Sequence, residues 1–357
     1  MRTPFFYIIL CVVSFLASCV KDKPNPDTKS FPTNLSHGLV VLNEGSFGNN
    51  NSDISYINLE NQIVSNSLFK IVNGHSLGDV AQFITLINGT YYVCINNSNK
   101  IVALDTADFS LRQTIHTIDY PRYMAQYSQD IAFVSSLYRP YVSVVQLSTN
   151  TCVDTIFTEH FNSEQMLVAN NILWICQWDT ACNYIQKIDA TTHHPTEKVS
   201  IPGFAPHDIL QDKNGTIWVL SGNKYKGKSA HLTCINPQTN EVLKSFSFSA
   251  TADPIKLTIN ESKDTLYFIN VNYTGNSSNN GLYKMGIDEN ALPSIPFIQA
   301  PVNTYFWGLG IDSKSKHIFL SDPKGFTQNS TIYEYTNAGK SLNVFQTGIG
   351  SNQFIFR

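Results

Sequence analysis

One repeated unit, present in seven copies, constrains the fold of this chain more than any other feature of its sequence. Each copy contains two strand-like segments joined by a turn, then a variable polar loop and two further strand-like segments. The clearest copy starts at Asp208, turns at Asn214 and Gly215, and ends at Phe248. Alternating apolar and polar residues bounded by Asn, Gly and Pro are typical of antiparallel hairpins. Each copy therefore predicts one small antiparallel sheet.

The spacing of the copies identifies the architecture. The last apolar residue of the third segment serves as an anchor in each copy, at Ile57, Leu104, Leu147, Ile188, Ile235, Met285 and Tyr335. Successive anchors lie 41 to 50 residues apart, which is the period of a four-stranded propeller blade. No helical stripe of apolar residues competes with this pattern. We therefore predict an all-β fold, a seven-bladed β-propeller of four-stranded blades.

The first copy is incomplete, and this indicates how the ring closes. Residues 38–42 match the second strand of the other copies, so an innermost strand is missing. Residues 352–356 form one spare strand at the end of the chain. Placing the spare strand inside blade one removes the open sheet edges. We expect the C-terminal strand to complete blade one.

The N-terminal segment predicts export and lipidation. Arg2 precedes an apolar stretch that is too short to span a bilayer, and small residues then lead to Cys19. We predict a lipoprotein signal peptide over residues 1–18, a lipidated Cys19 followed by a proline-containing tether to residue 37, and the propeller over 38–357. An ordinary signal peptide with an incidental cysteine is the alternative. The predicted location is the outer membrane, with a lipid anchor and exposure at the cell surface.

Composition narrows the classes of partner. Charged residues make up only 14% of the chain and the net charge is −3, so no basic patch suggests nucleic acid. Five cysteines remain in the body, an odd number that excludes a fully paired disulfide framework within one chain. Cys176 and Cys182 flank a short loop and are the only local pair that a disulfide could join.

One face of the predicted propeller collects the candidate binding residues. In such a ring, the loops between second and third strands share a face with the loops that enter each first strand. Aromatic side chains beside amides and a few charges suit a large ligand with flat apolar faces and a polar rim. The candidate ligand-binding residues are Asn43, Glu44, Asp79, Asn97, Arg122, Tyr123, Glu164, Gln165, Trp178, Tyr225, Tyr273 and Trp307.

Catalytic signatures are weak, so we predict no catalytic residue and no cofactor. No nucleophile elbow, zinc-binding helix motif or glycine-rich phosphate loop is present. One enzymatic alternative remains, in which Asp79, Glu164 and Asn352 hold a divalent cation in the channel, as in propeller lactonases. Hydrogen bonding of these side chains to their surroundings is the simpler expectation. His193 and His194 fall in a turn on the opposite face.

Several short motifs carry a family resemblance that spans the whole mature chain. They are the segments 42–45 (Leu-Asn-Glu-Gly), 78–82 (Gly-Asp-Val-Ala-Gln), 96–101 (Asn-Asn-Ser-Asn-Lys-Ile), 121–123 (Pro-Arg-Tyr) and 164–166 (Glu-Gln-Met). They resemble the YncE-like surface lipoprotein propellers of Bacteroidetes, which include cobalamin-capturing lipoproteins. The resemblance implies capture of a corrinoid ligand and its delivery to a TonB-dependent outer-membrane transporter.

Two other functions stay open beside corrinoid capture. The chain differs from that family in the variable loops 221–229 and 271–281, which are placed to determine the ligand. A scaffold that binds glycan or another surface protein is therefore one alternative, and a metal-dependent propeller hydrolase is the other.

Overall fold

The computed structural model describes residues 31–32, 35–272 and 277–357, and these form seven antiparallel sheets of four strands each. Blade one contains, from the inside outward, β28 (Ser351–Phe356), β1 (Gly38–Asn43), β2 (Asp53–Asn58) and β3 (Val64–Ser65). Blade two contains, from the inside outward, β4 (Ala81–Ile87), β5 (Thr90–Ile95), β6 (Lys100–Asp105) and β7 (Leu111–Ile115). Blade three contains β8 (Pro121–Gln126), β9 (Ile131–Ser136), β10 (Tyr141–Gln146) and β11 (Thr151–Phe157).

The remaining four blades repeat the same order. Blade four contains β12 (Ser163–Ala169), β13 (Ile172–Gln177), β14 (Tyr184–Asp189) and β15 (Pro195–Ser200). Blade five contains β16 (Pro206–Gln211), β17 (Ile217–Asn223), β18 (Lys228–Ile235) and β19 (Val242–Ser247). Blade six contains β20 (Asp253–Ile259), β21 (Thr265–Val271), β22 (Gly281–Gly286) and β23 (Ile298–Gln299). Blade seven contains β24 (Gly308–Ile311), β25 (Ile318–Asp322), β26 (Asn329–Tyr335) and β27 (Ser341–Ile349).

Helical structure is confined to the connections. The α-helix α1 (Leu68–Asn73) joins blade one to blade two and buries Leu68 and Phe69. Among the described residues, short 3₁₀ turns occupy four loops, at Asn96–Ser98, Lys224–Lys226, Ser277–Asn279 and Lys324–Phe326. Across the described ranges, no helix has the length and apolar character needed to cross a membrane.

The ring is closed by β28, as the sequence predicts. β28 pairs antiparallel with β1, with Leu39 opposite Phe356 and Val41 opposite Phe354. The first strands of neighbouring blades contact each other all the way around, including β24 with β28 and β28 with β4. The seven-bladed propeller and its closure in blade one are therefore confirmed, and the closing strand begins one residue earlier than predicted, at Ser351.

The core lies between the blades. Seven clusters of buried apolar side chains each draw their members from two adjacent blades, so each interface between blades holds one cluster. Trp174 packs with residues of blades four and five, and Trp218 with residues of blades five and six. Because each sheet is covered on both sides, its central strands are apolar on both faces, which explains the continuous burial of β1 and β5.

The two faces of the ring differ in their connections. We call the face that carries the loops between second and third strands, together with the loops into first strands, the loop face. The opposite face carries the tight turns within blades, and we call it the turn face. Leu35 joins the core, and Phe31 packs against Phe109 in a turn of blade two on the turn face, with ring centroids 6.3 Å apart. Part of the segment predicted as a tether therefore contacts the propeller.

The cysteines of the body are free thiols. Cys176 and Cys182 are both buried and unbridged, and the Cys182 thiol donates to the carbonyl oxygen of Tyr184 at 3.3 Å. The proposed local disulfide is therefore absent from the structure.

Candidate functional site at the mouth of the channel

A β-bulge in the first strand of six blades directs polar side chains toward the channel. In these bulges the strand pairing shifts register, so that extra residues of the first strand oppose the second strand. We take one polar side chain from each bulge and call the set the polar belt. It consists of Gln82, Arg122, Glu164, His207, Lys256 and Asn352. The belt thus draws one residue from each blade except blade seven.

Arg122 is the centre of one half of the belt. Its guanidinium donates to both carboxylate oxygens of Glu164 in blade four, with Nη2 2.8 Å from Oε2, and to Oε1 of Gln82 in blade two at 2.5 Å. Glu164 is buried and Arg122 nearly so. Burial acts against the charge on Arg122, but the adjacent carboxylate outweighs it and raises the pKa of the guanidinium. The pair is a forked, charge-assisted contact between neighbouring blades.

Lys256 is the centre of the other half. Its ammonium contacts Oδ1 of Asn352 and lies 5.7 Å from the centroid of the Trp307 ring. Asn352 in turn donates to the carbonyl of Gln82 at 2.8 Å, which links the two halves. Burial lowers the pKa of Lys256, while the carboxylates of Glu44 and Asp208 act in the opposite direction.

His207 is the belt residue of blade five, and Asp208 lies next to it. Nδ1 of His207 lies 3.3 Å from Oδ2 of Asp208, and the same carboxylate oxygen accepts from the backbone N–H of Leu257 at 3.0 Å. Burial disfavours the charged imidazole, but the nearby carboxylates, chiefly that of Asp208, outweigh burial and raise the pKa of His207. The belt has three basic side chains and one carboxylate, and the carboxylates of Glu44 and Asp208 lie beside it and interact with the basic groups.

The structure brings together three pairs of the predicted binding residues. Arg122 contacts Glu164 as described above. Trp307 donates its indole N–H to Oε1 of the buried Glu44 at 2.8 Å, and Asn97 donates to Oδ2 of Asp79 at 2.6 Å. Asp79 also accepts from the backbone N–H of Gly48. The first two pairs each join neighbouring blades, and the third joins two loops of blade two.

Two further predicted residues are occupied by contacts within the fold. Asn43 is buried, donates to Ser55 Oγ at 2.8 Å and accepts from Ser351 Oγ at 2.7 Å. Gln165 accepts the backbone N–H of Ile209 in the next blade at 3.2 Å. Asn43 thus joins β1 to the closing strand β28, and Gln165 joins blade four to blade five.

The predicted aromatic residues divide into packed and exposed members. Tyr123 packs on Phe83 with ring centroids 5.2 Å apart, and Trp178 donates its indole N–H to the carbonyl of Gly222 at 3.0 Å. Tyr225 is 71% exposed. Tyr273 lies outside the described residues.

Sequence reasoning missed part of an exposed aromatic rim on the loop face. The rim consists of Phe47, Tyr138, Phe161 and Tyr225, which are 78%, 58%, 50% and 71% exposed. Each sits in a loop between second and third strands or in a loop into a first strand. Of the four, only Tyr225 was among the candidate ligand-binding residues, although Phe47 directly follows the motif at 42–45. Large exposed aromatics on one face mark interaction sites.

A recurring turn fixes the loops that carry this rim. Five first strands are preceded by a residue with left-handed backbone, namely Val80, Tyr120, Asn162, Ala205 and Gly350, with φ between 44° and 67°. In each case the carbonyl of that residue accepts a backbone N–H from the end of the second strand of the same blade. The two sets of loops are thereby bonded together, so the mouth of the channel is preformed.

The belt does not form a cluster of metal ligands. In the part of the chain that the structure describes, no group of three or more His, Cys, Asp or Glu side chains is placed to hold a metal ion. Of the three residues considered for a lactonase-like site, Asp79 bonds to Asn97, Glu164 to Arg122, and Asn352 to Lys256 and Gln82.

These features define a seven-bladed β-propeller with a polar channel and an exposed aromatic mouth. Within that class, the chain belongs to the DUF5074 family, described as a domain of unknown function, whose model matches residues 37–349. No curated protein matches the chain.

Similar solved structures share the fold. One is a quinonprotein alcohol dehydrogenase-like protein from Bacteroides thetaiotaomicron, with a TM-score of 0.68 and 13% identity, covering 90% of this chain and 79% of that one. A second is the periplasmic gluconolactonase of Pseudomonas aeruginosa, with a TM-score of 0.66 and 12% identity over 89% of this chain and 99% of that one. A third is the extracellular domain of a one-component system from B. thetaiotaomicron, with a TM-score of 0.62 and 14% identity over 86% and 42%. At these identities the likeness concerns the fold alone.

Proposed function

We propose that this protein captures a corrinoid at the cell surface and passes it to a TonB-dependent outer-membrane transporter. In this proposal a lipid on Cys19 anchors the chain to the outer membrane, and the loop face holds the ligand. The observation that carries the proposal is the exposed rim of Phe47, Tyr138, Phe161 and Tyr225 around a preformed mouth.

The chemistry of the mouth favours a large and mostly apolar ligand. Exposed aromatic rings offer flat surfaces for the faces of a macrocycle. In the channel beneath, Arg122 is paired with Glu164 and His207 with Asp208, so binding does not depend on a charged ligand. A corrinoid combines broad apolar faces with amide arms at its edge, and the amides of the loops can meet those arms.

Rigidity supports capture without chemistry. The bonds between the two sets of loops, such as Trp178 N–H to the carbonyl of Asn162 at 2.9 Å, order the mouth before a ligand arrives. Little conformational entropy then remains to be lost on binding, which favours high affinity. The family resemblance of the motifs is the second support for this ligand class.

Calorimetry with cyanocobalamin tests the proposal. Wild type should bind, and Tyr225→Ala and Phe161→Ala should each weaken binding by roughly 1–2 kcal/mol, about tenfold in Kd, because each removes an exposed aromatic contact. Phe157→Ala is the matched control, since Phe157 is 74% exposed but lies on the outermost strand of blade three. Trp307 is unsuitable as a first variant because its loss would also unpair Glu44.

Two outcomes would count against the proposal. The absence of heat and of any thermal shift at millimolar cyanocobalamin would reject corrinoid capture and favour the scaffold function. Binding weakened by Phe157→Ala but not by the rim variants would place the site elsewhere on the ring.

A further inference from the structure

A second cleft, on the turn face, has a composition unlike that of the loop face. It has a volume of about 410 Å³ and lies where blades seven, one and two meet. Its lining residues are Ser36, His37, Leu86, Gly89, Tyr91, Thr106, Lys314, Phe356 and Arg357. None of these belongs to the polar belt or to the aromatic rim.

The charged side chains that line this cleft are basic. Lys314 contributes an ammonium and Arg357 a guanidinium, the His37 imidazole lies beside them, and no Asp or Glu is among the described lining residues. The Arg357 guanidinium is held in place by donating to the carbonyl of Thr106 at 2.7 Å. Asp105, which lies next to Thr106 in the chain, is engaged by Arg112. The cleft therefore favours a negative charge in its occupant.

Apolar and aromatic side chains form part of the wall of the cleft. Leu86 is 50% exposed although it lies on the first strand β4, and Tyr91 and Phe356 line the same space. Gly89 occupies a turn with φ 74°, and nothing lies within 4 Å of the position that a side chain would take there. Covering Leu86 with an apolar group is favourable because it removes apolar surface from water.

We propose that this cleft binds an anionic amphiphile, in which a carboxylate or phosphate contacts the basic side chains and an alkyl chain lies against Leu86, Tyr91 and Phe356. The combination of exposed apolar side chains with the basic side chains of Lys314 and Arg357 carries the proposal. Fatty acids and lipid phosphates are both anionic amphiphiles of this kind. Both differ from free inorganic phosphate because they carry an alkyl chain.

The position of the cleft agrees with a lipid as the source. Ser36 and His37 belong to the segment that leads into β1, and this segment docks on the turn face through Phe31 and Leu35. If the chain is anchored through Cys19 as proposed above, the turn face is the face from which the tether runs. The binding chemistry itself does not depend on that anchor or on the ligand of the loop face.

Calorimetry on the purified full chain with octyl phosphate, below its micelle concentration, tests the inference. Octyl phosphate should bind, whereas 1-octanol and inorganic phosphate, which each lack one half of the amphiphile, should bind at least fivefold more weakly. Lys314→Glu should weaken octyl phosphate binding by about fivefold or more, since it replaces an attractive charge with a repulsive one. Leu86→Asn should weaken it as well.

Lys340→Glu is the matched control, because Lys340 is an exposed lysine in another turn of blade seven and does not line the cleft. This variant should bind octyl phosphate within about twofold of wild type. Equal binding of octanol, or of inorganic phosphate, would overturn the proposal, as would an unchanged affinity in Lys314→Glu. Unaltered melting temperatures of the variants would exclude misfolding as the cause of a loss, and cyanocobalamin binding reports separately on the loop face.

Discussion

Arg122 and Glu164, which are 42 positions apart in the chain, form a forked ion pair between the first strands of blades three and four, with Nη2 2.8 Å from Oε2. Glu164 is only 3% exposed. The pair therefore fixes the relative position of two blades at the channel, because a displacement of either blade would leave a buried charge without a partner.

Removing one member of this pair should strongly destabilise the fold. We expect Arg122→Ala to lower the free energy of unfolding by about 3–5 kcal/mol, because it leaves a buried carboxylate uncompensated. The double variant Arg122→Met/Glu164→Leu should be less destabilised than the single variant. Urea unfolding of both proteins measures this, and a double variant less stable than Arg122→Ala would contradict the argument.

The closing strand should contribute much of the stability of the ring. Deleting residues 352–357 removes the partner of β1 and opens the contact between β24 and β28, so β1 becomes an unpaired edge. We expect a loss of several kcal/mol and a fall in Tm of about 10 °C or more. Thermal unfolding followed by circular dichroism measures it. Leu342→Ser, on the exposed outer strand β27, should leave Tm nearly unchanged.

His207 should make stability depend on pH near neutrality. Its pKa is raised in the folded protein. Burial acts to lower the pKa of His207, but the nearby carboxylates, chiefly that of Asp208, raise it by more. The stabilisation is therefore complete below the unfolded-state pKa and is lost as pH rises through the folded-state pKa. The difference in unfolding free energy between wild type and His207→Gln should shrink as pH is raised from 6 to 9. A difference that grows over this range would show that the sign is wrong.

Val80 should be a strained position. It has φ 58°, a left-handed conformation that β-branched residues rarely adopt. Val80→Gly should relieve a strain of about 1–3 kcal/mol and lose about 1 kcal/mol to the freedom of glycine in the unfolded chain. We expect a net gain in unfolding free energy, measured in urea. Val168→Gly, in the extended strand β12, should instead destabilise the protein.

The five cysteines of the body should react in order of burial. Cys152 is partly exposed, whereas Cys94, Cys176, Cys182 and Cys234 are buried. Burial raises the pKa of the Cys176 thiol well above its usual value, which slows alkylation further. Mass spectrometry after iodoacetamide treatment should show one modification in native protein and five after unfolding. Only three after unfolding without reductant would instead indicate a disulfide.

The sequence predicts the blades well because their signals are local. The anchors from Ile57 to Tyr335 lie on the third strand of their blades, except that Leu147 follows β10 by one residue. Turn residues such as Asn214 and Gly215, together with alternating apolar side chains, determine these hairpins without reference to the rest of the ring. The spare strand at 352–356 could be placed because the innermost position of blade one was the only strand position left without a segment.

The details of the mouth could not be predicted, because they depend on distant contacts. The chemistry of Arg122 and Glu164 suggested ligand binding, but the bulges that turn both side chains toward each other leave no mark in residue type. Left-handed backbone at Val80 runs against the preference of valine and is imposed by the bond from Asn96 N–H to its carbonyl. The exposure of Phe161 likewise depends on how its loop is held, which a hydrophobic residue in a sequence does not reveal.

The closing strand also brings two distant positions of the chain side by side. The backbone N–H of Arg357 donates to the carbonyl of Gly38 at 2.9 Å. A short linker could therefore join these two residues, and the chain could be opened instead at an exposed turn such as that of Asn214 and Gly215. A circular permutant made in this way would keep all seven sheets, with blade one built from continuous chain and another blade assembled from both ends.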